Sequence, residues 1–278
     1  MLKNTPSQIK DLTGELEKIS AIIRSDIIKM SHSSKAGHLA SALSCVDILT
    51  SLYYSVMRIN RDLLEASDRD RFILSKGHAA AALYAVLAHR GIMDKDDLKC
   101  YGMMGSLLEQ HPSVEQNGVE ATTGSLGHGL PIANGMALSS KISGCKFRVF
   151  VLMSDGECNE GSVWEAAMFA NKHQLHNLTA IIDYNKWQAT GRTNEVLGIA
   201  PLAEKWISFG WDVLEVDGHD HQELFHAMTS SENKRPRIII AHTVKGKGVT
   251  FMEDDNNWHY RVPTALEVES ARIELIGK

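Results

Sequence analysis

The sequence predicts an α/β protein with a doubly wound parallel sheet flanked by helices. Short apolar runs rich in β-prone residues alternate with helical patterns from residue 147 to residue 241. The run at 147–153 lacks in/out alternation, which is typical of a strand covered on both faces. Glycine turns separate strand from helix at 75–78 and at 154–156. We expect residues 1–278 to form one domain.

Composition and charge favour a globular protein with a small-molecule ligand. The 278 residues carry a net charge of −5 in scattered positions, so no basic patch predicts nucleic acid and no polybasic face predicts a membrane. The start is polar and has no signal-peptide core, and no run approaches the ~18 apolar residues of a membrane span. We therefore expect a cytoplasmic protein. Four widely spaced cysteines predict reduced thiols, mostly in packing positions.

The N-terminal region, about 6–57, is predicted to be largely helical. Apolar positions recur at helical spacing over 6–30, and a second helix is predicted at 42–57 after a break rich in serine and glycine. His38 lies at the entrance of this second helix. A capping or solvated loop histidine is the alternative interpretation.

Two further segments have residues suited to ligand binding. A strand at 72–74 meets Ser-Lys-Gly-His and an alanine-rich helix, which places His78 beside amide donors that attract anions. A short helix is predicted at 94–104. His111 precedes a proline, and Gly124, Gly127 and Gly129 surround Leu126 before a helix at 133–142. These glycines indicate either a flat ligand or close helix packing.

The central unit is a strand, a helix at 161–173 and a second strand at 178–182 that ends in Asp-Tyr-Asn. Parallel strands joined by a right-handed crossover bring their carboxyl ends together, so Asp155 and Asn185 are predicted to face one crevice. Their oxygens suit Mg²⁺ or Ca²⁺ if phosphate and water complete the shell. An N-cap is the alternative role for Asp155.

The remaining elements continue the α/β alternation. They are a loop at 191–200, a helix at 202–209, a strand at 211–216, a helix at 222–230 and a strand at 237–241. A loop and helix follow over about 242–278, and the helix starts near Thr264. The loop holds Lys245, Lys247 and His259 and is predicted to order over a ligand, or else to be a solvated Lys/Gly loop.

Taken together, these segments resemble the N-terminal, diphosphate-binding third of transketolase, particularly the family in which that third is a separate subunit. The segments are SKAGHLAS at 34–41, DRFILSKGHAAAALYA at 70–85, HPS at 111–113, TTGSLGHGL at 122–130, SDGECNEGSVWEAA at 154–167, DYNKWQATG at 183–191, DGHD at 217–220 and HTVKGKGVTFMEDDNNWH at 242–259. They cover nearly the whole chain and occur in the family's order.

The resemblance implies thiamine diphosphate held through Mg²⁺, for which Ca²⁺ or Mn²⁺ can substitute. Asp155 and Asn185 then become metal ligands, the backbone carbonyl of Trp187 a third ligand, and the Gly156 amide a diphosphate contact. Ser154 replaces the usual first glycine of the Gly-Asp-Gly signature, and its small side chain is expected to fit.

The resemblance also assigns the walls of the cofactor site. Gly124 and Leu126 correspond to the wall over the cofactor rings, and His128 replaces a common glutamine. Four histidines correspond to those around the reactive thiazolium carbon: His78 and His259 toward the diphosphate, and His38 and His111 toward substrate oxygens. Neutral imidazoles suit proton transfer there. Lys245 and Lys247 are lesser candidates for phosphate contacts.

The implied reaction transfers a two-carbon ketol group from a ketose phosphate to an aldose. The family's activating glutamate belongs to a pyrimidine-binding domain, which is expected here on a separate C-terminal transketolase subunit in a heterotetramer. Glu160 and Glu165 resemble residues at that interface. Three alternatives stay open: a deoxyxylulose-phosphate-synthase-like subunit, a 2-oxo-acid decarboxylase subunit, and a non-catalytic scaffold of the same fold.

Overall fold

The computed structural model describes residues 6–230 and 234–277, so the first five residues of the predicted polar start lie outside the described residues. Within them, five parallel strands form one sheet in the order β1-β2-β3-β5-β4, which confirms the predicted α/β class. The strands are β1 (Arg71–Leu74), β2 (Val149–Ser154), β3 (Leu178–Tyr184), β4 (Asp212–Asp217) and β5 (Arg237–His242).

Helices pack on both faces of this sheet. They are α1 (Pro6–Ser34), α2 (Leu39–Ser44), α3 (Val46–Ser51), α4 (Ala80–His89), α5 (Gly129–Ser143), α6 (Gly161–Lys172), α7 (Thr193–Leu197), α8 (Leu202–Ser208), α9 (His221–Thr229) and α10 (Ala265–Ile276). None of the described helices is long and apolar enough to cross a membrane.

The sheet separates two apolar cores, and strand β2 contributes to both. Val149 and Val151 join the core beneath α5, α6 and α8, whereas Phe150 and Leu152 join the core beneath α1 to α4, α9 and α10. Every residue of β2 is buried, as its continuous apolar run predicts. This double coverage leaves the carboxyl edge of the sheet as the place where loops meet.

Some helix boundaries differ from the prediction. Helix α1 continues to Ser34, and the helix predicted at 42–57 begins at Leu39, is interrupted at Cys45 and ends in a π-helical turn, Leu52–Val56. The first turn of α2 is buried, so packing against α1 and α4 outweighs the helix-breaking pattern of serine and glycine before it. His38 is the N-cap residue, as predicted, with a left-handed backbone (φ 62°).

Three further predictions, on a loop, a helix and the cysteines, also need correction. The loop predicted at 191–200 contains α7, whose first residue, Thr193, is buried and donates a hydrogen bond to Asp155. The helix predicted at 94–104 is a shorter 3₁₀ helix, Lys95–Cys100. All four cysteines are unpaired, but only Cys45 and Cys158 are buried, so the predicted packing role holds for these two.

Candidate functional site

The predicted crevice is present at the carboxyl ends of β2 and β3. Ser154 at the end of β2 is in register with Asp183 in β3, so the residues that follow the two strands are neighbours. They line a cleft of about 440 Å³ that also receives the loops carrying the predicted histidines. Asp155 and Asn185 both line this cleft, which confirms their predicted convergence.

Asp155 is fully buried and accepts hydrogen bonds from three segments of the chain. The Gly156 amide donates at 2.8 Å, the Lys186 amide at 2.9 Å and the Thr193 hydroxyl at 2.8 Å. Burial raises the pKa of Asp155 to about 6, and the neighbouring Asp183 carboxylate adds to the rise. The alternative capping role belongs to the preceding residue, Ser154, which forms a reciprocal capping box with Glu157. Asp155 is therefore a buried acid that forms no ion pair within the described part of the chain.

Asn185 is held beside Asp155 by its own hydrogen bonds. Its Oδ1 accepts from the Trp187 amide at 3.1 Å, and its Nδ2 donates to Asp183 at 3.3 Å. Across residues 6–230 and 234–277, no three His, Cys, Asp or Glu side chains cluster in a way that could hold a metal. The donor set at this edge is accordingly one carboxylate with neutral oxygens, the combination that suits Mg²⁺ better than Zn²⁺.

A buried ion pair beneath this edge escaped the sequence analysis. Lys76 and Asp183 are both fully buried and form a salt bridge, and Lys76 also donates to the Ser41 carbonyl at 2.9 Å. Burial alone would raise the pKa of Asp183, but the Lys76 charge and hydrogen bonds from Ser44 and Thr243 hold it below its usual value. The pair fixes the ends of β1 and β3 relative to each other.

The four predicted histidines meet at one end of the cleft. The His38 ring centroid lies 5.0 Å from that of His259, 5.5 Å from that of His78 and 6.3 Å from that of His111. The His38 amide donates to the His259 carbonyl at 2.6 Å, and this bond holds the left-handed turn before α2. His38 Nδ1 is buried with no hydrogen-bond partner among the described residues. It is thus an orphaned polar atom within the cluster.

Three of these imidazoles are neutral near pH 7. Burial, with the positive charge of Lys76 nearby, lowers the pKa of His78 well below its usual value. Burial also lowers the pKa of His38, and burial together with the Lys245 ammonium lowers that of His259 to about 3. The neutral forms predicted from the sequence are therefore favoured by the surroundings.

Lys245 is fully buried, so the alternative interpretation, a solvated Lys/Gly loop, is wrong for this residue. Its ammonium donates to Asn256 Oδ1 at 2.6 Å and lies 3.0 Å from His259 Nδ1. Because the ammonium can only donate, His259 Nδ1 accepts and the ring hydrogen resides on Nε2. Burial, with repulsion from Lys76, lowers the pKa of Lys245 to about 8. Lys247 remains half-exposed near Glu253.

Glycines shape one wall of the cleft. A Cβ on Gly124, whose φ is 155°, would lie 3.0 Å from the His111 ring, and a Cβ on Gly127 would lie 2.6 Å from Glu160 Cβ. Both positions thus require glycine, because backbone and side chains approach closely there. Leu126 lies between them, lines the cleft and is partly exposed. The two interpretations open from sequence therefore divide between the glycines: Gly124 lines the cleft, whereas Gly127 packs closely against Glu160.

Tyr260 is a site residue that sequence reasoning missed. It lines the cleft with 66% of its surface exposed, and its ring centroid lies 4.7 Å from that of His259 and 5.9 Å from that of His38. Only its position directly after His259 pointed to it. Glu160 and Glu165 are exposed, as a partner interface would require, and Glu160 also lines the cleft.

With the cleft described, the comparisons with known proteins define the class. Residues 16–276 match the family described as transketolase, thiamine diphosphate binding domain, so the chain belongs to the transketolase family, as predicted. It is 42% identical over 271 residues to a subunit of apulose-4-phosphate transketolase from Phocaeicola vulgatus, covering 95% of this chain and 96% of the relative. It is 39% identical over 220 residues to a 6-deoxy-6-sulfo-D-fructose transketolase subunit of a Clostridium species, covering 78% and 80%.

Solved transketolases share the fold. The transketolase from Leishmania mexicana superimposes with a TM-score of 0.87 at 27% identity over 94% of this chain. The chain spans 41% of that protein's length, whereas it spans nearly all of the apulose-4-phosphate transketolase subunit. The similarity thus extends over one part of a full-length transketolase and over a whole transketolase subunit.

Proposed function

We propose that this chain is the thiamine diphosphate-binding subunit of a two-chain transketolase. The enzyme would transfer a two-carbon ketol group from a ketose phosphate to an aldose acceptor. The observation that carries the proposal is the cleft itself, where Asp155 and Asn185 follow adjacent parallel strands and the four histidines stand at the other end. The family match and the transketolase names of the relatives support it.

The residues present fit thiamine diphosphate with a divalent cation. Asp155, Asn185 and the Trp187 carbonyl would hold Mg²⁺, or Ca²⁺ or Mn²⁺ in its place, because hard cations take oxygen ligands and share them with phosphate and water. A cation would also neutralise the buried Asp155 carboxylate. The Gly156 amide would turn to a diphosphate oxygen when the cation takes the Asp155 oxygen to which this amide now donates.

Cationic and neutral donors would complete the cofactor site. His78 and the Nε2 hydrogen of His259 would face the diphosphate from the cleft lining. The buried Lys245 ammonium, in contact with His259 Nδ1, would add positive charge that attracts the anion. Gly124 and Leu126 would lie against the cofactor rings, since both line the cleft.

The histidines would handle protons on the substrate. When bound, thiamine diphosphate supplies a nucleophilic carbon and an electron sink for cleavage of the ketose. His38 and His111, which line the cleft, would orient the sugar hydroxyls and move their protons. Substrate specificity is proposed at the level of phosphorylated sugars.

A separate partner chain would complete the site. The relative that this chain matches over 96% of its length is named a subunit, and the family's activating glutamate belongs to the pyrimidine-binding domain. We propose a heterotetramer with a C-terminal transketolase subunit that contacts the exposed Glu160 and Glu165. The other thiamine enzymes and the inert scaffold have less support, because the relatives carry transketolase names and Asp155, Asn185 and the four histidines all line the cleft.

Calorimetry on the chain with and without its partner tests this function. We expect thiamine diphosphate to bind in the presence of Mg²⁺ and the complex to transfer a ketol group from a phosphorylated ketose. Ketose phosphates, branched sugar phosphates and sulfonated sugars would be assayed as donors. If neither the chain nor the complex binds the cofactor, the proposal fails.

The pH dependence of cofactor affinity tests the role of Lys245. Its pKa is lowered to about 8 in the free protein, and a bound diphosphate would raise it. Binding therefore requires proton uptake above pH 8 and none well below it, so affinity is expected to fall as pH rises. By linkage, Kd should increase by up to about tenfold from pH 8 to pH 9. Calorimetric titrations across pH 7 to 9.5 measure this change.

The nearby Lys247 provides the control. In Lys245→Met the added pH dependence of cofactor affinity should vanish, and the affinity at pH 7 should drop. Lys247→Met should bind the cofactor like the parent protein at every pH, because the Lys247 ammonium is partly solvated. An unchanged pH profile in Lys245→Met would remove Lys245 from the diphosphate site.

A further inference from the structure

Three side chains connect the loop that carries the proposed metal ligands to the loop that carries Lys245 and His259. The two terminal guanidinium nitrogens of Arg192, Nη1 and Nη2, each donate to the Asp254 carboxylate at 2.7 Å. The Trp187 indole Nε1 donates to the same carboxylate at 2.7 Å. We call Trp187, Arg192 and Asp254 the latch.

The latch has a fixed geometry for a surface feature. The Arg192 guanidinium carbon lies 3.7 Å from the centroid of the Trp187 ring, which is a close cation–π contact. The backbones of Trp187 and Arg192 also form an isolated antiparallel bridge. A planar fork that stacks on an aromatic ring and binds a carboxylate through both arms loses much of its rotational freedom. The latch thus holds 187–192 as one closed turn.

A second connection runs in parallel through Asn256. Its Nδ2 donates to the Ala189 carbonyl at 3.1 Å, and its Oδ1 accepts from the Lys245 ammonium. The Asp254 amide in turn donates to the Lys245 carbonyl at 2.8 Å. The same short segment, 254–256, therefore holds both the turn at 187–192 and the side chain of Lys245.

Stability does not explain this arrangement. Lys186 and Asp254 both adopt left-handed backbone conformations, with φ of 68° and 57°, which are unfavourable for residues other than glycine. The Arg192 and Asp254 side chains are 36% and 56% exposed, and ion pairs in that range contribute little to folding. Strained backbone in one member of an exposed ion pair, Asp254, and just before the turn that the pair holds, Lys186, is typical of a segment held in place for binding.

We infer that Asp254 and Arg192 are positioning residues for the metal and diphosphate site. They hold the turn that bears Trp187 against the segment that fixes Lys245, so that the metal and diphosphate contacts are organised before the cofactor arrives. Neither side chain is needed as a ligand. The inference rests on the proposed function, because it assumes that this cleft binds a metal and a diphosphate.

Binding measurements on the partner-bound complex test the latch. Asp254→Ala and Arg192→Ala are each expected to raise the apparent Kd for thiamine diphosphate at fixed Mg²⁺ by about tenfold, and also the Mg²⁺ concentration for half-saturation. Because the two residues act as one unit, the variant that combines Asp254→Ala and Arg192→Ala should bind thiamine diphosphate with the same Kd as either single variant. Arg192→Lys should resemble Arg192→Ala, since lysine lacks the fork and the planar stack. Calorimetry provides these values without relying on turnover.

A second exposed ion pair provides a matched control. Arg272 binds Glu269 through both arms on α10, with exposures of 42% and 56%, so Glu269→Ala removes a comparable pair far from the cleft in sequence. It should leave the Kd unchanged. If Asp254→Ala does not fold, Asp254→Asn, which keeps an acceptor for the Trp187 indole, should still weaken binding. Kd values within twofold of the parent in all latch variants would overturn the inference, whereas a parent that binds no cofactor would instead overturn the proposed function.

Discussion

Replacing Asp155 with alanine is expected to abolish Mg²⁺-dependent binding of thiamine diphosphate and leave the fold intact. The side chain is the one carboxylate in the proposed donor set, and the remaining oxygens are neutral. Loss of outer-shell groups alone weakens metal sites 10- to 100-fold, so we expect a loss above about 100-fold for a direct ligand. Isothermal titration calorimetry at fixed Mg²⁺ measures the change.

In the metal-free protein, removing the charge of Asp155 should maintain or raise the stability of the fold at pH 7. Burial raises the pKa of Asp155 to about 6, above the value of about 3.9 in unfolded chains. The stability that the neutral acid contributes is present below the unfolded pKa and is lost as pH rises through about 6. At pH 7 the ionised carboxylate therefore opposes folding, and Asp155→Asn without metal should melt at or above the parent temperature.

Asp217 provides a control for the binding experiment. It is the last residue of β4, the edge strand that is separated from β2 by β3 and β5. Its exposed carboxylate accepts a hydrogen bond from the His219 amide at 2.8 Å. Asp217→Ala should bind the cofactor like the parent protein. Full retention of binding in Asp155→Ala, with a parent that binds, would show that Asp155 is not the metal ligand.

The parts of the site that follow local rules could be predicted from the sequence. A continuous apolar run followed by a small turn residue specifies a buried strand and its carboxyl end, so 149–154 and 178–184 are close to the predicted strands. The parallel crossover then brings Asp155 and Asn185 together. The family resemblance supplied the four histidines, and the structure brings them together.

The features of the site that could not be predicted from the sequence depend on contacts between segments far apart in the chain. Lys76 and Asp183 are 107 positions apart, and each looks like an ordinary charged residue beside a strand until the sheet places them together. Lys245 is buried because Asn256 and His259 fold over it, whereas its local sequence of glycines and lysines is typical of a solvated loop. Burial of a charge is set by tertiary packing, so no local pattern indicates it.

A buried polar network between α1, α3 and the loop before Lys245 was also not predicted from the sequence. We expect its loss to destabilise the fold strongly. Arg24 in α1 binds Asp47 in α3 through both arms, at 3.0 and 2.5 Å. His219 Nδ1 lies 2.8 Å from the same carboxylate, and its Nε2 accepts from the Val244 amide at 2.9 Å. Because Nε2 accepts, His219 donates through Nδ1. The network joins two helices to the loop that precedes Lys245.

Asp47→Ala is expected to destabilise the fold by about 3–5 kcal/mol, because it leaves the nearly buried Arg24 guanidinium without its partner. Chemical denaturation followed by circular dichroism measures the free energy of unfolding. Glu269→Ala, which breaks an exposed pair, should change it by about 0.5 kcal/mol or less. An Asp47→Ala value as small as that of Glu269→Ala would mean that the network contributes no more than a surface ion pair.

The pH dependence of stability separates the charge of Asp47 from its packing. Burial would raise the pKa of Asp47, but the Arg24 charge and the hydrogen bonds from His219 and Arg24 hold it well below its usual value. A depressed pKa in the folded state contributes stability above the unfolded value of about 3.9 and loses it as pH falls through that value toward the folded pKa. The stability difference between the parent and Asp47→Asn should therefore be constant from pH 5 to 7 and shrink below about pH 4. A difference that stays constant down to pH 3 would assign the effect to packing instead of charge.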